Sequence, residues 1–260
     1  MSADRAFSPW ARTHFTVPER LRINKEGLAE GIRFIPSPNC DERPADSAID
    51  LLVVHHISVP PGEFGGPGIV ELFTNRLDPA AHSFYATIAG TKVSAHFLIR
   101  RDGRLYQFVP CGGRAWHAGE SSWKGRTQCN DFSIGVELEG TGDAPFTDAQ
   151  YGRLVVLTRA LKARYPIRDI VGHSDVAPGR KCDPGPHFDW ARYRDMIKKL
   201  SPRRTPSPHP MPFPHSGEGN LEPPLSARER GGGEGSTRSR SKIRNRTAKT
   251  PRRQRKTKKR

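Results

Sequence analysis

The stretch "IDLLVVHHIS" (49–58) limits the fold of this chain more than any other. It is a short, almost unbroken run of leucine and β-branched residues. A strand that is apolar on both sides cannot leave one face in water, so the run predicts a central strand covered on both faces. Other strand signals surround it. "SAHFLIRRDGRLYQFVP" (94–110) is two strand-like runs around Asp102-Gly103, a strong hairpin signal. "FSIGVELEG" (132–140) alternates, with Ile134, Val136 and Leu138 on one side and Ser133, Gly135, Glu137 and Glu139 on the other. "RDIVGH" (168–173) reads as one more short strand.

Helical patterns interleave with these strands. "TDAQYGRLVVLTRALKARYP" (147–166) opens with Thr147 and Gln150 in capping-box spacing and stops before Pro166. "DWARYRDMIKKL" (189–200) is capped by Asp189 and carries Trp190, Tyr193, Ile197 and Leu200 on one stripe. A weaker helix is expected in "GPGIVELFTNRL" (66–77). The expected fold class is mixed α/β (α+β): a single domain over residues 31–200, with a central mixed sheet flanked by helices. Residues 1–30 are expected to be an N-terminal extension.

Residues 201–260 are crowded with Pro, Gly, Ser and Arg and nearly lack aliphatic side chains, which predicts a disordered basic tail. Charge divides the same way. The tail holds 17 Lys and Arg against 4 Asp and Glu, a net of +13, so of the whole-chain +16 the first 200 residues keep only +3. The tail can attract polyanions non-specifically, whereas the globular part gives no reason to expect a specific nucleic-acid partner. No run is long and apolar enough for a membrane span, and the N-terminal residues lack the apolar core of a signal peptide. Cys40, Cys111, Cys129 and Cys182 form no CxxC pair, and free thiols in a cytoplasmic protein are expected.

The chemistry concentrates in "GHSDVAPGRKCDPG" (172–185), a loop rich in glycine and proline just beyond a predicted strand. His173 and Asp183 lie ten residues apart there, and His55 ends the central strand. Two imidazoles and a carboxylate suffice for a catalytic zinc site, because three protein ligands leave a fourth position open. Spacing does not single out this set: ten histidines allow many triplets, and neither HExxH nor the deaminase HxE with PCxxC is present.

The segments "LLVVHHISVPPGEFGGPGIVELF", "SAHFLIRRDGRLYQFVP", "RAWHAGESSWKGR", "CNDFSIGVELEGT", "FTDAQYGRL" and "GHSDVAPGRKCDPGPHFDW" occur in this order from about Gly31 to Leu200. Together they resemble the cytosolic 1,6-anhydro-N-acetylmuramoyl-L-alanine amidases of the AmpD type, within the zinc amidase family that includes phage lysozymes and peptidoglycan recognition proteins. The resemblance implies Zn2+ held by His55, His173 and Asp183, with Glu137 and Lys181 as catalytic residues. The implied reaction is hydrolysis of the amide joining anhydro-N-acetylmuramic acid to the L-alanine of cytosolic muropeptides, in cell-wall recycling. The implied partners are thus 1,6-anhydro-N-acetylmuramoyl peptides, and no organic cofactor is needed.

Strand alternation leaves Glu139 as eligible as Glu137, and only the resemblance selects Glu137; replacing Glu139 is then expected to be nearly silent. Lys181 is two residues from Asp183, so in an extended segment both side chains point the same way. Trp116 and His117 are expected on a substrate groove. Lys92 and Gln128 stand where the family places basic side chains toward peptide carboxylates, Gln128 without the charge. His56 replaces a common asparagine and Cys182 a threonine. Other classes stay open: an amidase acting on intact wall, a peptidoglycan-binding module without hydrolysis, and a nucleic-acid-binding protein working through its tail.

Overall fold

The computed structural model describes residues 20–200. The stretch expected to form the basic tail, and the first 19 residues of the expected extension, lie outside the described residues. In chain order the strands are β1 (Arg33–Phe34), β2 (Cys40–Asp41), β3 (Leu51–Ile57), β4 (Phe97–Ile99), β5 (Leu105–Gln107), β6 (Arg114–Ala115), β7 (Ser122–Trp123), β8 (Arg126–Thr127), β9 (Ser133–Glu139) and β10 (Asp169–Gly172). The helices are α1 (Gly68–Phe73), α2 (Ser83–Thr87), α3 (Asp148–Arg164), α4 (His173–Val176) and α5 (Trp190–Leu200).

Six strands form one mixed sheet in the order β1-β5-β4-β9-β3-β10. The pairs β4/β9, β9/β3, β3/β10 and β1/β5 are parallel, and only the hairpin pair β4/β5 is antiparallel. Leu51 to Val54 are fully buried, as expected of a strand covered on both faces. On one face Leu52 and Val54 join Ile134, Val136 and Leu138 beneath Leu154, Val155 and Leu161 of α3 and Tyr193 of α5. On the other, Leu51 and Val53 pack with Ala118, Cys129, Phe132 and Val176.

The local signals in the sequence translate directly. Thr147 accepts the Gln150 N–H and Gln150 returns the bond to the Thr147 N–H, closing the capping box of α3. Asp189 Oδ1 accepts the Arg192 N–H at 2.8 Å and starts α5. Gly103 takes φ 82° in the hairpin turn, a conformation that suits glycine. The weaker expected helix shrinks to the six residues of α1, and α2 has too few residues for a readable period.

Two expectations need correction. Residues 20–30 are not an extension outside the domain, because Leu21, Ile23 and Ala29 are buried in the main core. Gln107 secures this stretch by accepting the Ala29 N–H and donating to the Gly27 carbonyl, both at 2.8 Å. The apolar residues there are too few and too interrupted by charge to show a period. The second correction concerns Glu139. All of β9 is buried, and the Glu139 carboxylate accepts from Arg100 Nη1 at 2.5 Å, the Gly65 N–H at 2.7 Å and the Arg101 N–H at 3.2 Å. Its oxygens are committed to the fold.

Replacing Glu139 is therefore not silent. Glu139→Ala strands a buried guanidinium and is expected to cost about 3–5 kcal/mol of stability. Urea unfolding checks this as a lower midpoint at unchanged slope.

Candidate active site

The site is assembled where the parallel strands β3 and β10 end. His55 is the fifth residue of β3, and His173 begins α4 directly after β10. Asp183 is brought back by the loop that follows α4, pinned by the Ser174 N–H donating to its carbonyl at 2.9 Å. Gly172 permits this return: a Cβ there lies 2.7 Å from the Pro184 ring, so a larger residue displaces the loop that carries Asp183.

His55 Nδ1, His173 Nδ1 and Asp183 Oδ2 converge to 3.0–3.1 Å from one another. All three residues are buried. His173 Nε2 lies 3.1 Å from the Ala118 carbonyl, which can only accept. The ring therefore carries its proton on Nε2, and the Nδ1 lone pair faces the carboxylate. Burial pushes the His55 imidazole down to about 4, against the pull of Asp183. Burial raises Asp183, but its two imidazole neighbours, His173 and His55, outweigh that and hold the carboxyl far below the usual range. Neutral imidazole nitrogen and ionised carboxylate oxygen meeting at one point are a donor set for a metal ion.

Glu137 is paired with His55 across β3 and β9, and paired residues in a sheet share a face. Its Oε2 is buried without a hydrogen-bond partner among the described residues. Burial, reinforced by Asp183 and opposed by Lys181, raises its carboxyl well above the usual value. Lys181 is exposed, and its charge acts on His55 as well as on Glu137. The exposed thiol of Cys182 lies between Lys181 and Asp183 in the chain.

The remaining candidates take different places. Trp116 is half-buried and donates from Nε1 to Asp41 Oδ1 at 3.1 Å. Lys92 borders a cavity of about 150 Å³ with Leu72 and Ile88, whereas Gln128, at φ 57°, borders an open one of about 550 Å³ with Ala177 and Arg180. His56 follows the alternation of β3 to the side opposite His55, where a side chain on Gly142 would meet its Nε2 at 3.6 Å. His117, expected on a groove wall, is instead buried behind His55, its Nδ1 3.0 Å from His55 Nε2. Sequence reasoning missed Arg180, which donates to the carbonyls of Ala118 and Glu120 and so ties the loop bearing Lys181 to the segment after His117. Its place beside Lys181 was the available signal.

A family profile described as N-acetylmuramoyl-L-alanine amidase matches residues 45–186, over half of the chain and all five residues just placed around the cluster. This chain belongs to the N-acetylmuramoyl-L-alanine amidase family. Among its relatives, the 1,6-anhydro-N-acetylmuramyl-L-alanine amidase AmpD of Escherichia coli is 57% identical over 177 residues, spanning 67% of this chain and 97% of that protein. The AmpD of Haemophilus influenzae is 50% identical over 69% of this chain and 99% of its own length. A crystal structure of a selenomethionine AmpD derivative covers 66% of this chain and 98% of its own at a TM-score of 0.65 and 57% identity. The solution structure of Citrobacter freundii AmpD covers 70% and 98% at 0.51 and 55%. In this amidase no helix of the described residues is long and apolar enough to cross a membrane.

The buried Glu137 carboxyl has a thermodynamic consequence. Its folded pKa is raised, so the native state holds the proton more tightly than the unfolded chain, and stability falls as pH rises from the ordinary carboxyl value toward the raised one. Glu137→Gln removes that loss. In chelator, melting temperatures from acid to neutral pH should show the variant gaining on the parent as pH rises.

Proposed function

We propose that this chain is a zinc-dependent amidase that hydrolyses the bond between 1,6-anhydro-N-acetylmuramic acid and L-alanine in soluble muropeptides, in cytoplasmic cell-wall recycling. The observation that carries the reading is the convergence of His55, His173 and Asp183 beside Glu137, in a chain that spans nearly the full length of the AmpD amidases it matches. The four free cysteines agree with a reducing compartment.

His55, His173 and Asp183 would hold the zinc. When bound, zinc at such a set polarises a carbonyl and lowers the pKa of water in the open position. Glu137 does the proton work. Its raised pKa suits a base that takes a proton from the attacking water and returns it to the departing nitrogen of L-alanine. Lys181 carries its ammonium beside the cluster, where it stabilises the negative oxygen of the tetrahedral intermediate. Trp116 offers a half-exposed aromatic face for the sugar. Lys92 and Gln128, at separate cavities, are proposed to meet the stem peptide, Lys92 through charge and Gln128 through its amide. The alternatives are an amidase for intact wall and a binding module that does not hydrolyse.

Mass spectrometry of the protein incubated with anhydro-muropeptides and with intact sacculi, each with and without chelator, separates these. Release of peptide from the soluble substrate only, abolished by chelator, is expected; hydrolysis of neither overturns the reading. About one zinc per chain is expected, and His55→Ala, His173→Ala and Asp183→Ala should each lose zinc and activity. Glu137→Ala should keep zinc while losing roughly 100- to 10,000-fold in turnover. Lys181→Ala should lose on the order of 100-fold, also with zinc retained.

A further inference from the structure

Behind the cluster runs a chain of hydrogen bonds whose directions can be assigned from one end. The Ser133 hydroxyl donates to the Cys129 carbonyl at 2.5 Å, and that oxygen can only accept. A hydroxyl has one proton, so at its second contact, 3.2 Å from His117 Nε2, Ser133 Oγ accepts. His117 Nε2 therefore carries a proton. The ring is buried, and its hydrogen-bond partners Ser133 and His55 are not anions, so it is the neutral imidazole with a bare Nδ1. That nitrogen faces His55 Nε2 at 3.0 Å and can only accept from it. His55 thus holds its proton on Nε2, and its Nδ1 lone pair is turned toward His173 and Asp183.

We propose that His117 is a positioning residue that fixes the tautomer and ring orientation of His55, so that His55 Nδ1 is presented to the metal without a proton to displace. The proposal rests on the reading of His55 as a metal ligand.

The surroundings of His117 are built for this task. Its own N–H and that of Ala118 both donate to Asn130 Oδ1, at 3.2 and 2.8 Å. Arg43 Nη1 in turn donates to the Asn130 carbonyl at 2.7 Å. The imidazole lies directly on Gly135, where a Cβ comes within 2.4 Å of its Cγ. The inward face of β9 therefore reads Ser133, Gly135, Glu137: an anchor for the His117 ring, a gap to seat it, and the carboxylate beside the cluster. Partners behind a metal-bound histidine fix its tautomer and raise its basicity, and losing one typically weakens metal affinity 10- to 100-fold.

The test is a tautomer measurement joined to a zinc titration. Long-range proton–nitrogen correlation on ¹⁵N-histidine-labelled, metal-free protein, above the imidazole titration range, should show His55 and His117 both protonated at Nε2. Competition with a chelator should show zinc binding weakened roughly 10- to 100-fold in His117→Phe, with His55 no longer held to one tautomer. His117→Gln, whose amide oxygen can still accept, should recover much of the affinity, as a purely space-filling role would not predict. If His117→Phe does not fold, Ser133→Ala carries the test, with loss of the His117 tautomer preference and a smaller fall in affinity. A parent His55 protonated at Nδ1 overturns the proposal. So does a folded His117→Phe, or in its place Ser133→Ala, with parental tautomers and zinc affinity. Failure of the parent to bind zinc sinks the metal reading instead, while the tautomers still decide the relay.

Discussion

Parallel pairing of β3 with β9 sets His55 beside Glu137, and the rest of the site depends on that neighbour relation. Side chains in a strand alternate, so a slip of one residue in this register sends either the imidazole or the carboxylate to the helix-covered face. The register is held by apolar residues rather than by the site. Leu52 and Val54 opposite Ile134 and Val136 must all lie under α3, and burying them forces the intervening residues toward the His55–His173–Asp183 cluster. β10, paired on the other side of β3, delivers His173 by the same logic.

The cover over this second face has little regular structure. β6, β7 and β8 are two residues each, so the backbone between them finds partners in side chains. Asn130 takes two consecutive N–H groups, and Arg43 donates to the carbonyls of Asn130, Cys111 and Ser133. Burial lowers the Arg43 guanidinium to about 10, still a cation. A rigid polar frame of this kind holds ligands in place where a flexible loop cannot.

The fold was legible wherever a period or a cap was strong. The unbroken apolar run of β3, the capping box of α3 and the stripe of α5 each lead to the element observed. Three features escaped for physical reasons. Residues 20–30 contribute single apolar side chains without a period, α2 is one turn long, and the burial of Glu139 depends on Arg100, 39 residues away in the chain. In the site, spacing alone could nominate His55, His173 and Asp183 but not choose them among other triplets; the topology brings those three together. His117 was expected on a groove wall and is buried instead, because the seat offered by Gly135 exists only once β9 and the 112–132 segment meet.

The histidines packed around the sheet also set an acid limit on the fold. Burial depresses His55, His56, His96 and His117 in the native state, His55 to about 4, whereas imidazoles in an unfolded chain titrate near 6.5. Below that value the unfolded chain takes up protons that the native rings refuse. The stability these rings contribute is therefore full above the ordinary imidazole value and drains away as pH falls toward the native ones. Rings held neutral by burial thus turn an acidic compartment into one where this fold loses stability.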